Sequence, residues 1–182
     1  MKRHLVIVDL QHDFIRGSMA VQGAEAVVPR IAEMIPGCRR VTFTLDWHPS
    51  DHCSFVGRGG MWPSHCVAYT VGAGIPSEVV SAAARNASHC SFVLKGRDAG
   101  REEYGAFSSQ QLYDDTFAGD GCDEVLFVGL CGDYCVGQSI RNFVRFDGGR
   151  HRAALSTGGI CSIDDGTTLR DTIGELGLTV YK

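Results

Sequence analysis

The sequence predicts an α/β fold: one domain, residues 1–182, in which helices form two outer layers around a mainly parallel sheet. Short apolar runs rich in β-branched residues recur along the chain, and segments with helical character separate them. Alternating strands and helices of this kind build a three-layer α/β/α arrangement with right-handed crossovers. The length of 182 residues is sufficient for a single domain with a substantial core.

Six runs are predicted to be strands, because they are nearly continuous in apolar residues, as expected of strands that helices cover on both faces. In chain order they comprise residues 5–10, 40–47, 91–96, 124–130, 152–159 and 178–182. The least regular stretch, 47–75, is too long for a simple connection, so we expect it to serve the function of the protein.

Four helices are predicted between these strands from their start and stop signals. Pro36-Gly37 ends the first helix, and Asp164 or Asp165 opens the last. The four segments cover residues 24–36, 76–87, 133–146 and 164–175.

Charge and apolar content exclude several kinds of partner. The net charge of −4 argues against nucleic acid. No apolar run approaches the roughly 18 residues that cross a bilayer, so no membrane partner is expected. The N-terminal run LVIV is interrupted by Asp9, unlike a signal peptide, and we expect a cytoplasmic protein. The eight cysteines include no CxxC pair, so reduced thiols are expected rather than a disulfide framework.

Chemically capable side chains follow the predicted strands at their carboxyl ends, where ligands bind in such sheets. Cys135 comes after EVLFVGL where a helix begins, so the helix dipole and N–H groups are expected to lower its pKa and to hold an oxyanion. Asp9, desolvated at its strand end, is a candidate base, and Lys95 a cation that orients it. Taken separately, Cys135 could be an inert buried thiol, Asp9 a turn cap and Lys95 a solvated strand end. Taken together, the three residues favour a nucleophilic site.

A second group lies in the segment after the second strand, where DWHPSDH is followed by WPSHC. Asp46 and His48 lie on the same side of an extended segment, and His52 or His65 could complete a site for zinc, iron or manganese. Two alternatives remain open from the residues alone: a solvated polar loop, and a thiolate site that uses Cys53 or Cys66.

These motifs together resemble one family. LVIVDLQHDF, DWHPSDHCSF, MWPSHCV, LKG followed by EEYGAF, and VGLCGDYCV are similar to the nicotinamidase/pyrazinamidase branch of the isochorismatase-like cysteine hydrolases. The resemblance implies an isochorismatase-like, Rossmann-like fold and hydrolysis of nicotinamide, and of pyrazinamide, through a cysteine thioester. It implies one divalent metal ion, zinc foremost with iron or manganese as alternatives. Whether the chain forms a homo-oligomer is left open.

The resemblance also implies residue roles. These are a catalytic triad of Asp9, Lys95 and Cys135, an oxyanion hole from the backbone amides of Cys131 and Cys135, and a cis peptide before Cys131. The metal ligands carry over to Asp46, His48 and His65, with His52 a fourth ligand in some members. The aromatic residues that enclose the substrate ring carry over to Phe14, Trp62 and Tyr104. The chain departs from the family pattern at Cys131-Gly132 and in the compact SFVGRGGMWP.

Three other functions compete with this interpretation. Another amidase of the superfamily, acting on a ureido or carbamoyl substrate, would share the triad without needing the metal loop. A metal-binding or thiol redox protein would use Cys131 and Cys135 without amide turnover. Isochorismatase proper, a vinyl-ether hydrolase, does not use the cysteine mechanism, so Cys135 counts against it.

Overall fold

A six-stranded parallel sheet forms the centre of the computed structural model, which describes residues 1–86 and 89–182. The strand order is β3-β2-β1-β4-β5-β6, so the chain winds outward from β1 in both directions. The strands are β1 (Arg3–Val8), β2 (Arg40–Asp46), β3 (His89–Lys95), β4 (Glu124–Leu130), β5 (Arg152–Cys161) and β6 (Thr179–Tyr181).

Helices cover both faces of the sheet. They are α1 (His12–Ile15), α2 (Ala24–Met34), α3 (Ser77–Asn86), α4 (Gln110–Phe117), α5 (Gly137–Asp147) and α6 (Thr167–Leu176). Side chains of β1 alternate between two cores: Leu5 and Ile7 face the core under α2 and α3, whereas Val6 and Val8 face the core under α4 and α5. The predicted three-layer α/β/α fold is therefore confirmed.

The predicted elements are present with shifted ends. The first helix stops at Met34 and continues as a 3₁₀ turn, Ile35–Gly37, because Pro36 cannot extend it. The last helix begins only at Thr167. The Asp164 carboxylate accepts the N–H of Gly166, which precedes the helix, and the N–H of Thr168 in its first turn. Residue 87, the predicted end of the second helix, lies outside the described residues.

Two helices were not predicted. The four-residue α1 is too short to show a period in sequence. The polar α4 is capped by Ser109, whose Oγ accepts the Leu112 N–H at 3.2 Å. The irregular segment 47–75 holds a 3₁₀ turn, Val56–Arg58, and isolated bridges joining His48 to Val67 and Phe55 to Trp62.

The expectation that all six strands are buried on both faces is wrong for the two edge strands, β6 and β3. The residues of β6 are half-buried or exposed, residues 89–92 of β3 are exposed, and Phe92 retains 57% of its accessible surface. The reason is the position of both strands at the edges of the sheet, where each pairs with one neighbour while the two cores centre on the inner strands. Among the described residues, we find no helix that combines the length and apolar character needed to span a membrane.

Candidate active site

Four buried side chains meet at the carboxyl edge of the sheet. Asp9 follows β1, Asp46 ends β2, Lys95 ends β3, and Cys135 lies in a π-helical turn, Gly132–Val136, that follows β4. Carboxylate oxygens of Asp9 and Asp46 and the Cys135 Sγ all lie within 4.8 Å of one another. The parallel register, which pairs Asp46 with Lys95, brings residues distant in sequence to one point.

Asp9 is fully buried and held in a left-handed backbone conformation, φ 44°. Its Oδ1 accepts the Thr44 hydroxyl at 2.6 Å, while Oδ2 forms an ion pair with Lys95 Nζ at 2.8 Å. Burial raises the pKa of Asp9, and the attraction of Lys95 opposes it only in part. A buried carboxylate with a raised pKa is suited to accept a proton.

Lys95 connects the group. Its Nζ donates to Asp46 Oδ1 at 2.5 Å, and to Cys135 Sγ at 3.5 Å, in addition to its ion pair with Asp9. Burial alone would lower the pKa of Lys95, but the two carboxylates hold that pKa well above its ordinary value. A permanent cation therefore lies between two acids and a thiol.

The expectation of a lowered Cys135 pKa is wrong. Burial holds the pKa of this thiol well above its ordinary value, although Lys95 pulls it down and the carboxylates of Asp9 and Asp46 push it up. The thiol is therefore protonated at neutral pH, and a base must take its proton before it can attack. An Asp9 carboxylate oxygen lies within 4.8 Å of the sulfur.

A group of side chains that could hold a metal ion adjoins these residues. One ligand atom each from Asp46, His48 and His65 lies within 4.8 Å of the others. The Nδ1 of His48 donates to the Gly96 carbonyl at 2.9 Å, and the Nδ1 of His65 donates to the Pro63 carbonyl at 2.7 Å. Both Nε2 lone pairs are thereby left for an ion, as in divalent metal sites built from imidazole and carboxylate.

His52 and the nearby cysteines lie outside this group. The Nε2–H of His52 donates to the Arg101 carbonyl at 3.0 Å, and its Nδ1 accepts the Ser54 N–H at 3.3 Å. In this conformation neither nitrogen offers a lone pair to an ion, although the centroid of the ring lies 4.1 Å from that of His48, with the two planes tilted by 35°. Neither Cys53 nor Cys66 joins the group, and all eight cysteines are free thiols.

An aromatic pocket covers the thiol. Phe14, Trp62 and Tyr104, the three aromatic residues that the resemblance implies, all line it, and Trp62 Nε1 donates to the Tyr104 hydroxyl at 3.1 Å. Sequence reasoning missed other lining residues, whose signals are weak because they come from separate loops: Met19, Glu102, Glu103, Tyr134 and Ile163. The pocket walls suit a flat ring.

The unusual Cys131-Gly132 pair has a local explanation at its glycine. A Cβ on Gly132 would lie 2.4 Å from Ser162 Oγ, so the loop after β5 packs directly on this glycine. The next residue, Asp133, accepts the N–H groups of Ile163 and Asp164, each at 3.0 Å. Gly132 and Asp133 thus seat the loop that brings Ile163 to the pocket. The peptide bond before Cys131 is cis, as the resemblance implies.

A thiol with a buried base, placed under an aromatic pocket at the edge of a parallel sheet, defines a class of protein: the α/β cysteine hydrolases. Residues 3–147 match the isochorismatase domain family. The nicotinamidase/pyrazinamidase of Mycobacterium tuberculosis is 32% identical over 157 residues, 79% of this chain and 79% of that protein.

Solved structures agree with this match. The pyrazinamidase of Pyrococcus horikoshii in complex with zinc has a TM-score of 0.81 at 25% identity, over 100% of this chain and 99% of that chain. PnC1 from L. infantum in complex with nicotinate has a TM-score of 0.84 at 27% identity, over 100% and 92%. The chain belongs to the isochorismatase domain family and, within it, to the nicotinamidase branch of amidohydrolases.

Proposed function

We propose that the protein hydrolyses nicotinamide to nicotinate and ammonia through a thioester on Cys135, and that it accepts pyrazinamide as well. The observation that carries the proposal is the placement of the Asp9–Lys95–Cys135 group beside the Asp46–His48–His65 group, under one aromatic pocket. The relative from Mycobacterium tuberculosis is named for both activities. A neighbouring fold with nicotinate bound supports the same ring chemistry.

The first half of the reaction follows from the positions of the side chains. Asp9 takes the thiol proton, and the Cys135 sulfur forms a bond to the carboxamide carbon, which converts the carbonyl into an oxyanion. Lys95, 3.5 Å from the sulfur, stabilises the developing thiolate. The backbone N–H groups of Cys131 and Cys135 donate to the oxyanion. Asp9 then returns its proton to the nitrogen as the C–N bond breaks, so ammonia leaves and a thioester remains.

In the second half, water is the nucleophile and the Cys135 sulfur is the leaving group. Asp9 takes a proton from water, whose oxygen attacks the thioester carbon, and returns it to the sulfur as the C–S bond breaks. Nicotinate leaves and the thiol is restored. Phe14, Trp62 and Tyr104 enclose the ring and exclude bulk water from the thioester.

Asp46, His48 and His65 are the residues that would hold the metal ion, and their donor atoms fit a divalent ion such as zinc. When bound, the ion supplies a Lewis acid beside the pocket that anchors the pyridine nitrogen. The zinc complex of the related pyrazinamidase supports this assignment. His52 would join the set only after leaving its present hydrogen bonds.

Ammonia release from nicotinamide by the purified protein tests the proposal. We expect Cys135→Ala to lower turnover by at least about 10³-fold, since the nucleophile is lost. Cys90→Ala is the matched control and keeps the turnover of the parent, because that thiol is exposed on β3 and does not line the pocket. A parent protein that releases ammonia from a ureido or carbamoyl substrate but not from nicotinamide would replace the proposed substrate and keep the cysteine mechanism.

A further inference from the structure

Glu103 lies in the loop between β3 and α4 and lines the pocket. Its carboxylate makes two hydrogen bonds, one to the end of β3 and one within the loop. Its Oε2 accepts the Gly96 N–H at 3.0 Å, and its Oε1 accepts the Ser108 hydroxyl at 2.8 Å. Both carboxylate oxygens are therefore engaged within the loop, and Glu103 is not one of the metal-binding residues. Its bond to Gly96 holds the peptide that directly follows Lys95.

Gly96 in turn sets the orientation of His48. Its carbonyl accepts the His48 Nδ1–H at 2.9 Å, and this bond directs the opposite nitrogen toward Asp46 and His65. Gly96 has φ 64°, and a Cβ there would lie 2.3 Å from His48 Cε1. The glycine thus lies flat against the imidazole ring. A shift of this backbone would move both the acceptor of the ring and its packing surface.

We propose that Glu103 is a positioning residue for the metal centre. It holds Gly96, and through Gly96 it fixes the direction of His48 Nε2. The inference rests on the proposed function, because it takes His48 as a ligand. It adds a residue that touches neither the ion nor the reacting atoms.

Zinc affinity, measured by competition with a chromophoric chelator on the purified 182-residue chain, provides the test. Loss of the group bonded directly to a ligand histidine weakens metal binding by about 10- to 100-fold, and since Glu103 acts one bond further out, we expect Glu103→Ala to weaken it by about 10-fold. Glu103→Gln should stay close to the parent, since its amide oxygen accepts from Gly96 and its amide N–H donates to Ser108. Asp98→Asn removes the same charge from the same loop at an exposed residue and should bind zinc like the parent. Unchanged zinc affinity in Glu103→Ala would overturn the proposal.

A second readout separates this inference from the proposed function. In metal-free, ¹⁵N-labelled protein, the His48 Nδ1 proton should give a protected resonance that Glu103→Ala loses and Glu103→Gln keeps. If the parent binds no zinc, the metal assignment fails, while this resonance still decides the role of Glu103. If Glu103→Ala does not fold, Ser108→Ala takes its place: weaker zinc binding supports the proposal, and parent-like zinc binding with an unchanged His48 resonance contradicts it.

Discussion

The two ends of the sheet each hold a cluster of buried ionisable groups, and the clusters differ in how completely those groups are hydrogen bonded. At the carboxyl edge are Asp9, Asp46, Lys95 and Cys135; at the amino edge are His4, Asp120, Asp147 and His151. We call these clusters the carboxyl edge and the amino edge. Both connect strands distant in sequence, yet only one of them borders the aromatic pocket.

The amino edge is satisfied atom by atom. Asp120 accepts from His4 at 2.8 Å, from the Cys122 N–H at 2.8 Å and from His151 at 3.2 Å. The other nitrogen of His4 lies 2.8 Å from the Thr42 hydroxyl, and Asp147 continues the chain from His151 at 2.5 Å. A network of this kind stabilises the fold and leaves no group free to react.

The carboxyl edge, in contrast, leaves groups unsatisfied. Among the described residues, Asp9 Oδ2 has no polar partner besides its ion pair with Lys95, and the Cys135 thiol keeps its proton because burial raises its pKa. The comparison teaches that buried ionisable groups stabilise the fold where every acceptor is matched by a donor. Such groups become reactive where a proton can lie on either of two of them, as on the Cys135 thiol or the Asp9 carboxylate. Mutations at the two edges should therefore affect different measurements.

The largest expected effect is on activity at the carboxyl edge. We expect Asp9→Asn to lower kcat/KM for nicotinamide by about 10²- to 10⁴-fold, because the amide cannot take the thiol proton. Lys95 keeps its bond to Asp46, so the loss of unfolding free energy in urea should be smaller than at Asp120. Turnover close to that of the parent would show that Asp9 is not the base, and would remove the contrast between the edges.

The converse is expected at the amino edge. Asp120→Ala leaves buried His4 and His151 without their shared acceptor, and we expect the free energy of unfolding to fall by about 3 kcal/mol. The kcat/KM of the folded variant should match the parent. Asp115→Asn, an exposed residue whose carboxylate accepts only from Gln111, serves as the control and should change neither quantity. A large loss of kcat/KM with unchanged stability would contradict this assignment.

The difference between the edges also explains which of them could be predicted from sequence. Asp9, Asp46, Lys95 and Cys135 each follow an apolar strand, and the rule that parallel strands end at one edge brings them together. Motif resemblance then pointed to the pocket residues. This prediction needed only the direction of the strands, whereas the order β3-β2-β1-β4-β5-β6 came from the structure.

The amino edge gave no such signal. His4 precedes an ordinary apolar run, and Asp120 lies 116 residues away in a turn with no motif. Their contact depends on β1 and β4 being neighbours and on where each loop turns, which local patterns do not specify. The raised pKa of Cys135 was missed for a related reason: a helix start is visible in sequence, whereas the depth of burial is not.

A smaller effect should arise at Gly132, where the loop carrying Ile163 packs on the π-helical turn that holds Cys135. In Gly132→Ala the new Cβ meets Ser162 Oγ at 2.4 Å, and overpacking of this kind costs about 1–3 kcal/mol. We expect a higher KM for nicotinamide, since displacement of the loop moves Ile163. Ser162→Gly in the same chain should restore part of both the stability and the KM. A double variant no better than Gly132→Ala would indicate that Ser162 is not the limiting contact.

The smallest expected effect is a pH dependence of stability that belongs to the amino edge. Burial alone would raise the pKa of Asp120, but hydrogen bonds from His4, the Cys122 backbone and His151 lower it to about 2. A carboxyl whose folded pKa lies below its unfolded value of about 3.9 stabilises the fold above that pH. This contribution is lost as pH falls toward 2. The urea midpoint of the parent should therefore drop between about pH 5 and pH 2, and Asp120→Asn should drop less. Equal slopes of the urea midpoint against pH for the two proteins would mean that the acid sensitivity arises elsewhere in the molecule. Ionisation of Asp120 would then add nothing to the stability that the amino edge provides.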